Sequence, residues 1–370
     1  MLVPSVVESF EAVPAAAWDA LVGDGSPFLE HVFLATLEAL GSATPATGWT
    51  PRIVLVHDGA TLVGAAPAYV KTHSMGEFVY DHGWADAARR AGIPYFPKLI
   101  VGVPFTPVTG QRLLVHPDRA DVDAIRTAIL RGIERAARDC RGVHVLFDTP
   151  DEVAFLERHG LFQRVQYQFH WGNDGYRTFD DWLGSFTSDK RNKIRRERKE
   201  LAGLRIEAIT APSREVLDAL HQFHRSTASQ FGPWGHVYLS RDVFRRLGEV
   251  WGHRLHAVVA WDGAQVVAGS FNVLKGDRLY GRYWGASDTI RFLHFEVCYY
   301  KAIEDCIARG VAAFEPGHGG GQKYQRGFVP TITASNHRLA DPRIHDALVR
   351  YTAQEVEAVR EELEALRDRQ

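Results

Sequence analysis

Two stretches of the chain share one pattern of apolar and polar positions. Residues 53–71 read IVLVHDGATLVGAAPAYVK, and residues 257–275 read AVVAWDGAQVVAGSFNVLK. They align without a gap, with identities at Val54/Val258, Asp58/Asp262, Gly59/Gly263, Ala60/Ala264, Val63/Val267 and Lys71/Lys275. Apolar runs on either side of an Asp-Gly pair predict a hairpin, because its tight turn needs residues that tolerate positive φ. A third strand is predicted in each half, EFVYDH near 77–82 and RLYGRYWGA at 278–286. Each half then shows helical periodicity, near 119–140 and 291–309, followed by a short buried strand, VHVLF at 143–147 and VAAFE at 311–315. Both halves therefore read β-β-β, α, β.

A repeat of this length predicts a tandem pair of domains rather than a solenoid. The expected division is a first domain over 1–165 and a second over 166–370. The first half carries an insertion, Gly83 to Pro117, that contains YFPKL and VPFTPVTG and is too proline-rich for helix. A basic helix is predicted at 187–201, TSDKRNKIRRERKEL, and a long amphipathic helix from Arg343 to Arg367. The latter's stripe of Ile344, Leu348, Tyr351, Val359, Leu363 and Leu366 can close over its own domain or pack on a partner chain. The oligomeric state stays open.

Composition narrows the classes. The net charge of -2 over 370 residues gives no global attraction to nucleic acid or acidic membranes, so such attraction needs a local patch. Cys140, Cys298 and Cys306 are too few and too scattered for a disulfide framework and fit a reducing cytoplasm. The N-terminal MLVPSVVESFEAVP lacks the basic region and apolar run of a signal peptide, and no run is long enough for a membrane span. A cytoplasmic protein is expected. Few methionines beside many Ala, Arg and Gly suggest a GC-rich bacterial source.

Candidate chemistry gathers late in the chain. On the predicted helix 291–309, Phe292, Phe295, Tyr299, Ala302, Ile303 and Cys306 form a core face, with Glu296 at its edge roughly 40° from Phe292. A carboxylate there is costly unless paired, so Glu296 is either a functional acid–base group or half of a structural ion pair. His294 lies on the other side, as a surface histidine or a ligand contact. Strand alternation puts Tyr280, Arg282 and Trp284 on one face. Arg282 there can meet a carboxylate or phosphate, or simply stack on its neighbours. The string EPGHGGGQKYQRGF, 315–328, ends a strand at Glu315 and leads through glycines to Lys323 and Arg326. Its backbone N–H groups and two cations can hold an anion, although no GK[ST] follows, so it is not a Walker A loop. Lys190, Arg191, Lys193, Arg195, Arg196, Arg198 and Lys199 make a basic helix that can bind RNA or be a solvated face. His221 and His224 have no third ligand partner, and HExxH, GxSxG and GxGxxG are absent, so no metal is expected.

The order meander, helix, strand, basic turn resembles the GNAT acyltransferase fold. WTPRIVLVHDG, YVKTHSMGEFVYDHGWADA, YFPKL, VPFTPVTGQR, QFHW, KRNKIRRERK, LYGRYWG, FLHFEVCYY and FEPG…KYQRGF resemble the FemAB-like family, whose members are often labelled peptidoglycan biosynthesis/recognition proteins. The resemblance covers nearly the whole chain. It implies an α/β fold of two tandem GNAT-like domains (the acyl-CoA N-acyltransferase fold) with mixed central sheets. It also implies an acyltransferase that forms an amide bond on a small-molecule amine acceptor. The donor would be aminoacyl-tRNA, with tRNA meeting the basic helix 187–201 and no tightly bound cofactor. KYQRGF places Lys323 and Arg326 where relatives bind substrate phosphate and stabilise the oxyanion. Lys71, His73, Tyr80 and Asp81, with Trp84, Phe105 and Thr106, would line the acceptor cleft in the first domain.

Two departures qualify this. No long helical arm follows the basic helix, and residues 286–291 (ASDTIR) lack the [RQ]xxGx[GA] signature of simple acetyl-CoA enzymes. An acyl-CoA-dependent N-acyltransferase and a non-catalytic recognition protein remain the alternatives. In the expected mechanism Lys323, Arg326 or Arg282 stabilises the oxyanion, and Glu296 or Glu315 accepts the amine proton.

Overall fold

The computed structural model describes residues 1–230 and 235–367. The chain divides into two compact units, Met1–Gln168 with Thr331–Gln370, and Phe169–Pro330.

In the first unit, strands Leu2–Val7, Ile53–Asp58, Thr61–Ala66 and Leu114–Val115 form an antiparallel sheet in that order. The helix Val122–Ala136 packs on it. Its Ile125, Ala128, Ile129 and Ile133 meet Val54, Val56 and Val63 in one apolar cluster. A mixed sheet continues the unit, in the order Val329–Leu339, Gly142–Asp148, Lys98–Val101, Ala68–Lys71, Trp49–Pro51. Lys98–Val101 runs parallel to Gly142–Asp148, and its other partner is antiparallel.

The second unit is built on Arg205–Thr210, Leu255–Asp262, Gln265–Lys275, Arg278–Ala286 and Ala313–Glu315, in that order. All neighbours are antiparallel except the last pair. The helix Arg214–Ser229 lies so close to one face that a Cβ on Gly269 would sit 2.4 Å from Leu220. The chain from Leu293 to Arg309 is helical and carries a π-helical turn, Glu296–Tyr300.

The duplication is visible in detail. Gly59 and Gly263 both turn their hairpins at positive φ, 62° and 57°. Each hairpin also has a bulge at the same aligned place, Val56/His57 and Ala260/Trp261.

Several expectations are corrected. EFVYDH is not a strand: Phe78 and Tyr80 adopt left-handed backbone, φ 62° and 53°, which breaks strand alternation. The third strand comes instead from Lys98–Val101, inside the segment set aside as an insertion. That segment also holds a helix, since His82–Arg90 precedes its prolines. The C-terminal segment belongs to the first unit, not the second, so the expected 166–370 domain is too long at its end. The reason is burial: Ile344 and Leu348 of the helix Pro342–Arg367 pack with Trp84, Ala88, Ile93 and Tyr95. Tyr351 of the expected stripe is 48% exposed.

The helical face at 291–309 is also shifted. Phe292 is left-handed (φ 64°) and caps the helix rather than continuing it. The π turn then adds a residue to one turn, so Val297 and Tyr300 become buried while Phe292 and Phe295 are only partly so.

Candidate active site

A cavity of about 640 Å³ opens within the second unit. Three pieces of chain build it. The first is the strand Arg278–Ala286, where the register jumps: Phe271 pairs with Tyr283, but Asn272 pairs with Gly281. Arg282 is the extra residue of this bulge. A bulge re-aims side chains, and here Arg282, Tyr283 and Trp284 all line the cavity. Tyr280, expected on the same face, is buried and does not line it.

The second piece is the π turn, whose Cys298 and Tyr299 line the cavity beside His294. The His294 ring lies 4.8 Å from Trp284 and 5.2 Å from Tyr299. The third piece is the glycine-rich loop, of which Pro316 to Lys323 all line the cavity. Gly317, Gly319 and Gly320 have φ of 87°, 75° and 88°, a path open to glycine at little cost. This path lets Lys323 Nζ donate back to Gly317 O at 2.6 Å.

Burial sets the charge states. The Lys323 ammonium, 3% exposed, is depressed to about 8 by burial and stays mostly charged at neutral pH. Burial also lowers Arg282 from the usual guanidinium range. His294 falls to about 4, through burial and then the nearby Lys323; His318 is solvent-exposed, and the nearby Lys323 and Arg282 lower it too. Both imidazoles are therefore neutral near pH 7 and can accept a proton. Burial pushes the Cys298 thiol up, which removes thiolate chemistry at neutral pH.

Four of the expected second-unit residues thus line one cavity: Arg282, Trp284, His294 and Lys323. Glu296 does not. Its Oε1 accepts from Arg198 Nη2 and Nε at 2.9 and 3.1 Å, an ion pair of the kind weighed for it above. Glu315 accepts from Arg278 at 3.0 Å and also lies outside the cavity lining. Burial raises both carboxyls. Arg326 lines a second cavity, of about 400 Å³, with Lys190, Lys193, Glu197 and Tyr300. Its guanidinium stacks 3.4 Å above the Phe295 ring and faces Glu197.

In the first unit, the expected residues fall into a buried polar cluster and its surroundings. Lys98, fully buried, donates to Glu77 at 2.7 Å, to Ser74 at 3.1 Å and to Asp81. Tyr95 Oη adds a 2.6 Å bond to Asp81. Burial raises Glu77 to about 7, whereas Asp81, despite burial, is held below the carboxylate range by Lys98. Lys71 sits 3.9 Å over the Trp49 ring, donates to Met75 O at 3.0 Å, and is depressed to about 7 by burial. His73 Nδ1 accepts from Met75 N, so its Nε2 donates to Thr47 O at 3.1 Å and ties the turn. Trp84 packs on His337, Phe105 on Trp49, and Thr106 bonds Pro104 O. Tyr80 is half-exposed.

Sequence reasoning missed Ser270 and Asn272, which line the cavity, and Glu197, which is 1% exposed. Their signals were present: two polar residues two apart in an apolar strand, and an acid three residues from Ile194 on a basic helix. Among the described residues no group of three His, Cys, Asp or Glu side chains is placed to hold a metal ion. No described helix is long and apolar enough to cross a membrane.

Bulged strand, π turn, glycine loop and buried lysine thus meet around one cavity of the second unit. The chain belongs to the FemAB-like peptidoglycan biosynthesis/recognition family, whose model matches residues 9–370. Its fold is similar to the crystal structure of FemX, with a TM-score of 0.55 at 12% identity over 91% of this chain and 98% of that one. It is similar to the C-terminal domain of a putative lysylphosphatidylglycerol synthetase from Agrobacterium fabrum, with a TM-score of 0.54 at 10% identity over 90% and 93%. A tandem GNAT protein from the clavulanic acid biosynthesis pathway matches at a TM-score of 0.48, with 12% identity over 92% and 99%. Comparison with curated protein sequences finds no match.

Proposed function

We propose that the larger cavity is where an aminoacyl or acyl group passes from an activated ester to an amine, forming an amide on a peptidoglycan-type acceptor. The observation that carries this is the pairing of a buried, charged Lys323 with Arg282 on a cavity floored by left-handed glycines. In the reaction the amine lone pair attacks the ester carbonyl, the C–N bond forms, and the carbonyl oxygen gains charge. Lys323 and Arg282 are placed to stabilise that charge, usually the largest single contribution in acyl transfer. The same cations disfavour an ammonium in the cavity and so favour the neutral, nucleophilic amine. The amine proton passes to His294 or His318, and on to the leaving alkoxide as the ester C–O bond breaks. These neutral imidazoles replace Glu296 and Glu315 in the role, since neither carboxylate lines the cavity.

Aminoacyl-tRNA is the donor we favour. Lys193, Arg195, Arg196 and Lys199 of the helix Ser188–Lys199 are exposed, giving a local basic face on a near-neutral chain. The test incubates the protein with aminoacyl-tRNA, or with acyl-CoA, and a muramyl-peptide amine, and reads products by mass spectrometry. Amide product from aminoacyl-tRNA, lost about 100-fold or more in Lys323→Met, is expected. Product from acyl-CoA alone would replace the donor, and full turnover by Lys323→Met would sink the site.

A further inference from the structure

A chain of hydrogen bonds runs from the helix Lys301–Arg309 into the wall of the larger cavity. Asp305 Oδ2 lies 2.9 Å from His256 Nε2 and accepts from Arg309 Nε at 2.6 Å. His256 is 1% exposed. Its Nδ1 lies 3.1 Å from Asn272 Nδ2, and the same Nδ2 is 3.0 Å from Ser270 Oγ. Ser270 Oγ also accepts from Val258 N at 3.4 Å. The cross-strand register makes this possible, because His256 pairs with Asn272 and Val258 with Ser270.

Two groups set the direction of these bonds. The Asp305 carboxylate only accepts, so His256 donates from Nε2. The Asn272 amino group only donates and faces both His256 Nδ1 and Ser270 Oγ, so Nδ1 and Oγ are its acceptors. Both Nδ2 hydrogens are committed, so Oδ1 is what Asn272 offers the cavity. Ser270 accepts two bonds, so its O–H is what it offers. The wall presents one acceptor and one donor side by side.

The duplication shows that the fold does not require this pair. The positions aligned with Ser270 and Asn272 in the first repeat are Ala66 and Ala68, fully buried in an apolar cluster. Burying two polar groups and a histidine costs free energy that alanines avoid. The second copy carries that cost where its strand borders the cavity.

We propose that Ser270 and Asn272 form a recognition site for an amide group of the substrate, with the amide N–H on Asn272 Oδ1 and its carbonyl oxygen on the Ser270 hydroxyl. His256 and Asp305 are positioning residues that hold Asn272 in this orientation. The inference rests on the larger cavity being the substrate site, and it makes that substrate peptide-like rather than an amine or ester alone.

The test uses the full chain and two small probes of equal size, propionamide and methyl acetate, followed by NMR of the Asn272 side-chain amide. Propionamide perturbs it at concentrations about three- to tenfold lower than the ester, the value of one hydrogen bond. Asp305→Leu, distant from the cavity wall, removes the acceptor of the Nε2 proton and narrows that preference, and long-range ring spectra show an Nδ1–H form of His256 appearing. Equal response to both probes, response to neither, or an Nδ1–H form of His256 in the unaltered protein overturns the inference. Because these readouts need no turnover, an Asp305→Leu variant that misfolds leaves the test on the unaltered protein intact. A failure of acyl transfer with the amide preference preserved would strike the transferase reading and not this one.

Discussion

Replacing Glu197 by glutamine tests how the second unit tolerates a buried guanidinium. Arg326 is 4% exposed, with Nη2 3.4 Å from both Glu197 oxygens and Nη1 donating to Gln322 O at 3.1 Å. Its Nε is buried with no hydrogen-bond partner among the described residues. Glutamine keeps the shape and can still accept from Tyr300 Oη, now 2.6 Å from Glu197, but it removes the charge. Two unit charges about 4 Å apart attract by roughly 4 kcal/mol at an effective dielectric of 20. Glutamine recovers some hydrogen bonding, which leaves a net loss of about 3 kcal/mol, the lower end for breaking a buried pair. At roughly 2–4 °C per kcal/mol, the melting temperature of the unit should fall by about 6–12 °C. Adding Arg326→Met removes the orphaned charge and should recover most of the loss. Calorimetry on the four proteins of the cycle gives the coupling energy. A value below about 0.5 kcal/mol would refute the reasoning, because the pair would then be independent.

Lys323→Met should raise stability at pH 7 while removing turnover. The ammonium is depressed from 10.5 to about 8, so between those values the unfolded chain holds a proton that the folded chain has released. Stability therefore rises with pH across that window, and below it the folded protein carries a penalty of up to about 3 kcal/mol. Losing the bond to Gly317 offsets about 1 kcal/mol of the gain. A variant that melts below the parent at pH 7 contradicts this. In the first unit, Lys98→Met strands Glu77 and Asp81 and should cost about 3–5 kcal/mol at pH 7. The loss should shrink on acidification as the carboxyls protonate, and urea unfolding at pH 7 and pH 5 reads both. A loss under about 1 kcal/mol at pH 7 would show that the cluster is not held by this lysine.

Four residues that line the larger cavity were legible before the structure. Lys323, Arg282, Trp284 and His294 carry local signals, a glycine-rich run ahead of a cation and an arginine between aromatics. Glu296, Glu315 and Arg326 carried the same kind of signal and do not line the larger cavity. Their partners are Arg198, Arg278 and Glu197, and sequence offers no way to see that these residues occupy them. Lys98 stood in plain view in YFPKLIV, but its meaning depends on Glu77 and Asp81 reaching it from another segment.

The sequence by itself determined the duplication, both Asp-Gly hairpins and the helices expected near 119–140, at 187–201 and at 343–367, which the structure places at 122–136, 188–199 and 342–367. These follow from short-range periodicity and turn chemistry, which act within a few residues. Tertiary structure decided where periodicity breaks. Left-handed Phe78 and Tyr80 end a strand pattern, a bulge frees Arg282 from its alternation, and a π turn rotates the face that holds Glu296. Each departure costs local backbone energy, and only contacts distant in sequence can hold it in place. It also decided which unit the last helix joins, because an apolar stripe specifies burial but not the surface that buries it.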